Sequence, residues 1–235
     1  MDIRNTHFLR CLEALKDAPF FKAMDTDKLK TLLLLMTKST WAEDTFKSGS
    51  EIGMHIHLIV SGRLRVYQIN PNSGREHTVA ILTKGDIFDI MSLMDTDAHD
   101  IYYEAIDELE VLFLPVANMH RWISENPEMN YSIFKYLGKR MRQLENAATD
   151  ICLNSTLVRL SKLLVSNVND TSHELEVIHN LPNNQIASLI GTTRAVVNRH
   201  IQELKNYGAI TVSRKNIHVE NMAVLQSIAR ETFAA

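Results

Sequence analysis

The chain has 235 residues, 45% hydrophobic and 23% charged, the composition of an ordinary globular protein with room for one large domain or two modest ones. Eight glycines and five prolines exclude a collagen-like or low-complexity chain, and two cysteines, Cys11 and Cys152, exclude a disulfide framework or a four-thiolate metal site. The net charge of −3 argues against a generic nucleic-acid coat, but residues 155–235 carry 8 Lys/Arg against 6 Asp/Glu while residues 1–154 carry 17 against 22. That sign suits a C-terminal part that meets an anion. The longest apolar run, Leu32 to Met36, falls far short of the roughly 20 residues a membrane helix needs. The N-terminus lacks an uninterrupted apolar region and a small-residue cleavage site. A cytoplasmic protein with no membrane partner is expected.

The first stretch reads as helix, with Phe8, Leu12 and Leu15 at helical spacing and a break at Pro19. Asp25 or Thr26 can cap a second helix through Leu29, Leu32, Leu33 and Met36. From Thr40 to about Pro115 the period changes to two. Ile56, Leu58 and Val60 alternate with His55, His57 and Ile59, and the runs at Leu64–Tyr67, Thr78–Leu82 and Val111–Leu114 follow. The glycines at 49, 62, 74 and 85 punctuate them at intervals of 11 to 13 residues. Short strands with regular turns predict an antiparallel sandwich or barrel.

After Pro127 the helical period returns. Phe134, Leu137, Met141, Leu144, Ala148 and Ile151 are spaced 3, 4, 3, 4 and 3 residues apart, flanked by charged positions. A seam that narrow points to a partner helix and hence a homodimer. A core helix packed on the barrel is the other reading. Asn154 and Ser155 can cap a further helix through Leu157, Leu160 and Leu164, and a polar loop follows from Asn167 to Glu174.

The segment from Asn183 to Ile210 carries the most information. Gln185 to Gly191 reads as a short helix closed by glycine, and Thr193 can cap a second helix from Arg194 to about Tyr207, closed by Gly208. Two helices joined by a tight glycine-containing turn make a helix-turn-helix. Ala187 is small where the helices cross, and Ile190, Val196 and Ile201 can form the wedge between them. The second helix would then expose Arg194, Ala195, Asn198, Arg199 and Gln202, and the N-terminal end of a recognition helix enters the major groove. Arg can read guanine and Asn adenine, each bidentately. Gln185, Thr192 and Thr193 suit phosphate contacts. Two short strands bracketing Ser213, Arg214 and Lys215 read as a wing with a basic tip. Double-stranded DNA, as a palindromic operator, is the partner this pattern predicts.

The whole chain resembles the CRP/FNR family of bacterial transcription regulators. The similarity rests on Leu58-Ile59-Val60-Ser61-Gly62-Arg63-Leu64-Arg65-Val66-Tyr67, on Gly85-Asp86-Ile87-Phe88, on Glu104 to Leu112, and on Ile186-Ala187 to Arg194 with Val197-Asn198-Arg199. It implies an α+β fold: an antiparallel β-roll or jelly-roll sensor domain over 1–126, a dimerisation helix over 127–153 and a winged helix-turn-helix over 154–235. It implies a regulator and not an enzyme, with RNA polymerase a further partner if the protein activates. Cyclic-nucleotide binders of the family carry Phe-Gly-Glu-Leu and then an Arg that grips the phosphate. Here the matching places are Phe88-Asp89-Ile90-Met91 and His99-Asp100. The positive donor is missing and two carboxylates stand near its place, so cyclic AMP is not the expected effector. With only Cys11 near the N-terminus, no iron–sulfur cluster is expected either.

An effector would instead sit near Phe88, Ile90, Met91, His99, Tyr102 and Leu144. Haem or metal ligation by His55, His57, His77 or His99 is an alternative, and His55-x-His57 superficially suits a cupin-like metal enzyme. Solvent-facing histidines on the barrel exterior are the plainer reading, and no metal is expected. Cys152 beside the seam is a candidate redox thiol against the plainer reading of a small apolar residue. The family usually follows the recognition Arg with Glu. Ala195 stands there instead and can touch a thymine methyl.

Overall fold

A computed structural model describes residues 6–94, 100–169, 171–213 and 216–230. The chain divides into two compact units, one of residues 1–74 and 79–141, the other of residue 142 onward together with 75–78. The division falls inside the long helix, between residues 141 and 142.

The first unit opens with α1 (Thr6–Asp17) and α2 (Thr26–Leu35). Asp25 caps α2 by accepting from the Asp27 amide at 2.7 Å. Eight strands follow: β1 (Thr37–Trp41), β2 (Phe46–Ser48), β3 (His55–Ser61), β4 (Leu64–Ile69), β5 (Glu76–Leu82), β6 (Ile87–Phe88), β7 (Tyr102–Ala105) and β8 (Leu109–Pro115). A one-turn helix, α3 (Gly49–Ile52), interrupts them, held by a capping box between Ser48 and Glu51. The strands form two antiparallel four-stranded sheets, ordered β1-β8-β3-β6 and β2-β7-β4-β5. In the first, His57 lies opposite both Phe113 and Phe88, and in the second Val66 lies opposite Tyr103.

Two cores explain this arrangement. Trp41, Ile59, Phe88 and Val111 from one sheet meet Leu64, Val66, Tyr103 and Ala105 from the other inside the roll. The outer face of the first sheet, through Ile56, Leu58, Val60, Leu112 and Leu114, packs on Phe8, Leu15, Leu32, Trp122 and Ile133. Those last two come from α4 (Val116–Glu125) and α5 (Met129–Leu153). Because β3 is buried on both faces, its alternation has no solvent side. The reading of His57 as solvent-facing therefore fails: it is buried, and stacks on Phe88 with ring centroids 4.6 Å apart. Burial, with neighbouring His55 next in weight, pushes its pKa down to about 4. His55 is half-buried, its Nδ1 3.0 Å from the Gly53 carbonyl.

The second unit contains the end of α5, then α6 (Thr156–Asn167), α7 (Asn183–Leu189), α8 (Arg194–Asn206), β9 (Ile210–Ser213), β10 (Asn216–Val219) and α9 (Met222–Arg230). Ser155 caps α6 through the Val158 amide. β9 and β10 pair antiparallel with Val212 opposite Ile217, and the loop before α7 adds a bridge from Glu174 to His218. Leu157, Leu160, Leu164, Ile186, Val197, Leu204, Ile210 and Leu225 are buried in this unit.

Candidate nucleic-acid interface

The turn between α7 and α8 follows from one residue. Gly191 has φ +66°, the left-handed conformation that costs glycine least, and it lets the Thr192 amide reach back to the Ala187 carbonyl at 2.9 Å. Ala187 is buried at the crossing. α8 ends the same way. Gly208 has φ +68°, and the Gly208 and Ala209 amides bond the carbonyls of Lys205 and Leu204, the two bonds of a Schellman motif.

Between these stops, α8 sorts its side chains by period. Val197, Ile201 and Leu204 are buried. Val197 forms the wedge assigned above to Val196, which is only half-buried. Arg194, Ala195, Asn198, Arg199 and Gln202 are all exposed on the other side, as the sequence pattern predicts. Thr193 occupies the N-cap with extended backbone, but its side chain makes no cap bond. The first-turn amides of α8 thus keep capacity for an anion. Thr193 is exposed and Thr192 half-buried. Gln185 is also half-buried, with Oε1 buried and unpartnered, so it presents less to a phosphate than expected. Arg214 and Lys215, the expected wing tip, lie outside the described residues.

Three features escaped the sequence reading. Asn183, at the start of α7, donates from Nδ2 to Asn198 Oδ1 at 2.6 Å. His200 is buried beneath the exposed face, its Nε2 2.8 Å from Thr156 Oγ1 and its Nδ1 3.0 Å from Glu203 Oε2. The i, i+3 pairing of His200 with Glu203 was the available signal. Lys205 joins Asn183, Arg194, Asn198, Gln202 and Val212 around an open cleft of ≈ 810 Å³ beside the wing. The result is a face with two guanidiniums, three amides and an ammonium. It can bond to base edges and phosphates together.

The seam residues lie along α5. Phe134, Met141, Leu144 and Ile151 are 71%, 62%, 56% and 44% exposed. Ala148 is also exposed, and every position from 141 to 149 is. Leu137 is half-buried against the first unit's core.

The structure does not gather the expected effector residues. Phe88 lies inside the roll, whereas Ile90 packs on the core outside it. Tyr102 stacks on Phe46 and lies near Tyr67, while the next residue, Tyr103, is the one that meets Phe88. Adjacent residues on a strand point to opposite faces, which separates Tyr102 from Phe88. Met91 and Leu144 are exposed, and His99 lies outside the described residues.

Residues 43–126 match the family model for the cyclic nucleotide-binding domain, and residues 156–228 that for the Crp-like helix-turn-helix domain. The chain is 24% identical over 184 residues to the CRP-like cAMP-activated global transcriptional regulator of Mycobacterium tuberculosis, covering 77% of this chain and 82% of that one. It is 24% identical over 221 residues to the cyclic AMP receptor protein of Thermus thermophilus, covering 92% and 98%. A double variant of CooA from Carboxydothermus hydrogenoformans has the same fold, with a TM-score of 0.70 at 22% identity over 85% of this chain and 90% of that one. The c-di-GMP responsive regulator CLP of Xanthomonas campestris gives a TM-score of 0.71 at 14% identity, over 84% and 100%. With the two domain matches in the order the fold displays, this chain belongs to the CRP/FNR family of transcription regulators and carries that family's helix-turn-helix DNA-binding domain.

Proposed function

We propose that the protein is a homodimeric, sequence-specific DNA-binding regulator that reads a palindromic operator with α8 and is not an enzyme. The observation that carries this reading is the exposed face of α8, where Arg194, Asn198, Arg199 and Gln202 stand together from the helix's N-terminus onward. Lys205, Thr192 and Thr193 suit the flanking phosphates. Gln185 has a lesser share because half of it is buried, and Arg214 and Lys215 are assigned the backbone beside the wing. Ala195 offers a methyl to thymine.

Dimerisation through α5 is supported by the run of exposed positions from 141 to 149. Exposed apolar side chains gain little from packing within one chain, and an apolar stripe at 3 and 4 spacing supplies the missing contact when two copies pair. Twofold symmetry then matches operator symmetry. The test uses Met141→Glu with Leu144→Glu, which spares Leu137 and its core contact. Sedimentation of the wild type at micromolar concentration should give a dimer and the double variant a monomer, with tight operator binding lost. A monomeric wild type that still binds DNA tightly contradicts this reading.

A further inference from the structure

Away from the DNA-binding face, α1 and β8 bring three donor side chains of different chemistry together. His7 and Cys11 are one helical turn apart on α1 and share a face. Glu110 reaches them from β8. One ligand atom from each lies within 4.8 Å of the others. His7 Nε2 is 3.3 Å from Glu110 Oε1 and 3.5 Å from Cys11 Sγ. A zinc ion with bonds of about 2.0–2.1 Å to nitrogen and oxygen and about 2.3 Å to sulfur has tetrahedral edges of about 3.3 Å for N···O and about 3.5 Å for N···S. The two separations match those edges.

A second observation concerns the carboxylate. Glu110 is buried, and its Oε1 accepts no hydrogen bond. Arg10 pairs with the other oxygen, Oε2. Lys38 Nζ approaches Oε1 at 2.9 Å without hydrogen-bond alignment, and its side chain is 39% exposed. It can swing into water and leave Oε1 to a metal. Cys11 is fully buried, so the sulfur faces the cluster and not solvent.

We propose that His7 Nε2, Cys11 Sγ and Glu110 Oε1 form a three-ligand site for a divalent transition metal, zinc in the first instance. The fourth position is open to water. Imidazole, thiolate and carboxylate together suit zinc better than the hard ions magnesium and calcium. Binding displaces the Lys38 ammonium and releases the thiol proton to solvent, so the dication is balanced by one thiolate and one carboxylate. The ion would fasten α1 to β8, two elements otherwise joined at this carboxylate by Arg10 and His7.

The experiment uses the full chain, titrated with zinc against a chromophoric chelator and separately with cobalt(II). The account expects one zinc per chain. Cobalt should give the thiolate-to-metal charge-transfer band and the intense visible absorption of a four-coordinate ion. Loss of outer partners alone lowers metal affinity by about 10–100-fold, so His7→Ala should lower it by at least about a hundredfold. Cys11→Ser should abolish the charge-transfer band, and Cys152→Ser should leave it intact. His7 is half-buried, and His7→Gln serves if circular dichroism finds the alanine variant unfolded. Unchanged zinc affinity in the His7 and Cys11 variants, no one-to-one zinc binding at micromolar metal, or a charge-transfer band that follows Cys152 would each overturn the site.

Discussion

Asn183 and Asn198 are joined across the two helices of the helix-turn-helix, Nδ2 of the first donating to Oδ1 of the second at 2.6 Å. The bond uses one lone pair of Oδ1 and leaves the other, with both Nδ2 donors, for a partner. Bidentate adenine reading needs that combination. Asn183 thus orients the amide of Asn198 in advance. Asn183→Ala should cost about 1 kcal/mol of discrimination at one A·T pair, with other sequences bound nearly as before. Competition binding against single-base operator variants measures it, and an unaltered preference at every position would remove the orienting role.

Arg194 and Arg199 are five positions apart, about 500° around the helix at about 100° per residue, or 140° net. They flank the exposed face, so one can reach a base edge while the other reaches a neighbouring base or phosphate. If Arg199 reads guanine, Arg199→Ala should cost about 1–3 kcal/mol on the operator and relax one base pair. A phosphate-only role would instead weaken all sequences alike and reduce the salt slope by about one. Binding to a randomised half-site separates the two.

The buried imidazole of His57 links pH to stability. Its folded pKa, pushed down to about 4, lies below the ordinary histidine value of about 6.5. Between those values the unfolded chain binds a proton that the folded chain does not, so stability falls as pH falls through this window. At about 1.4 kcal/mol per unit, the loss is about 3 kcal/mol across the window. His57→Phe should flatten that part of the profile. Urea midpoints at about pH 7 and about pH 4.5 for both proteins give the comparison. Parallel profiles would mean that other groups govern the acid limb.

Cyclic AMP and cyclic GMP should produce no micromolar binding in calorimetry. The interior of the roll is occupied by an aromatic group in which Phe88 meets His57, Trp41 and Tyr103 at 4.6, 6.0 and 5.3 Å. Asp89 is buried beside it in the left-handed conformation (φ 58°) that a family glycine would adopt freely. Burial, and after it the Asp89 carboxylate, raises the Tyr103 hydroxyl above its usual range. A cyclic phosphate would meet that carboxylate. A micromolar dissociation constant for either nucleotide would show that the aromatic group and Asp89 move aside.

Periodicity made most of this fold legible. The two N-terminal helices, the strand runs of β3, β4, β5 and β8, α5 and the winged helix-turn-helix follow from spacing, caps and glycines. The periods do not show α3, a single turn starting at Gly49, nor two longer helices. α4 begins directly after Pro115 and buries Val116, Met119 and Trp122, but its start merges with the last strand run. α9 is nine residues long and buries Leu225, Ile228 and Ala229, too short a stripe to stand out, although Asn221 Oδ1 accepts from the Val224 amide at its start. The error at His57 has a similar origin: a strand covered on both faces carries no polar side by which to orient the alternation. On α8 the exposed residues were readable because glycines fix both ends. The Asn183 bond was not, since it joins positions 15 apart.

Selection of bound duplexes from a fully randomised DNA pool by the full-length protein tests the central claim most directly. The account predicts enrichment of inverted half-sites whose centres lie about one helical turn, about 10–10.5 base pairs, apart or a multiple of it. Enrichment of a lone half-site, or a pool that stays random, would contradict a symmetric dimer reading DNA through α8.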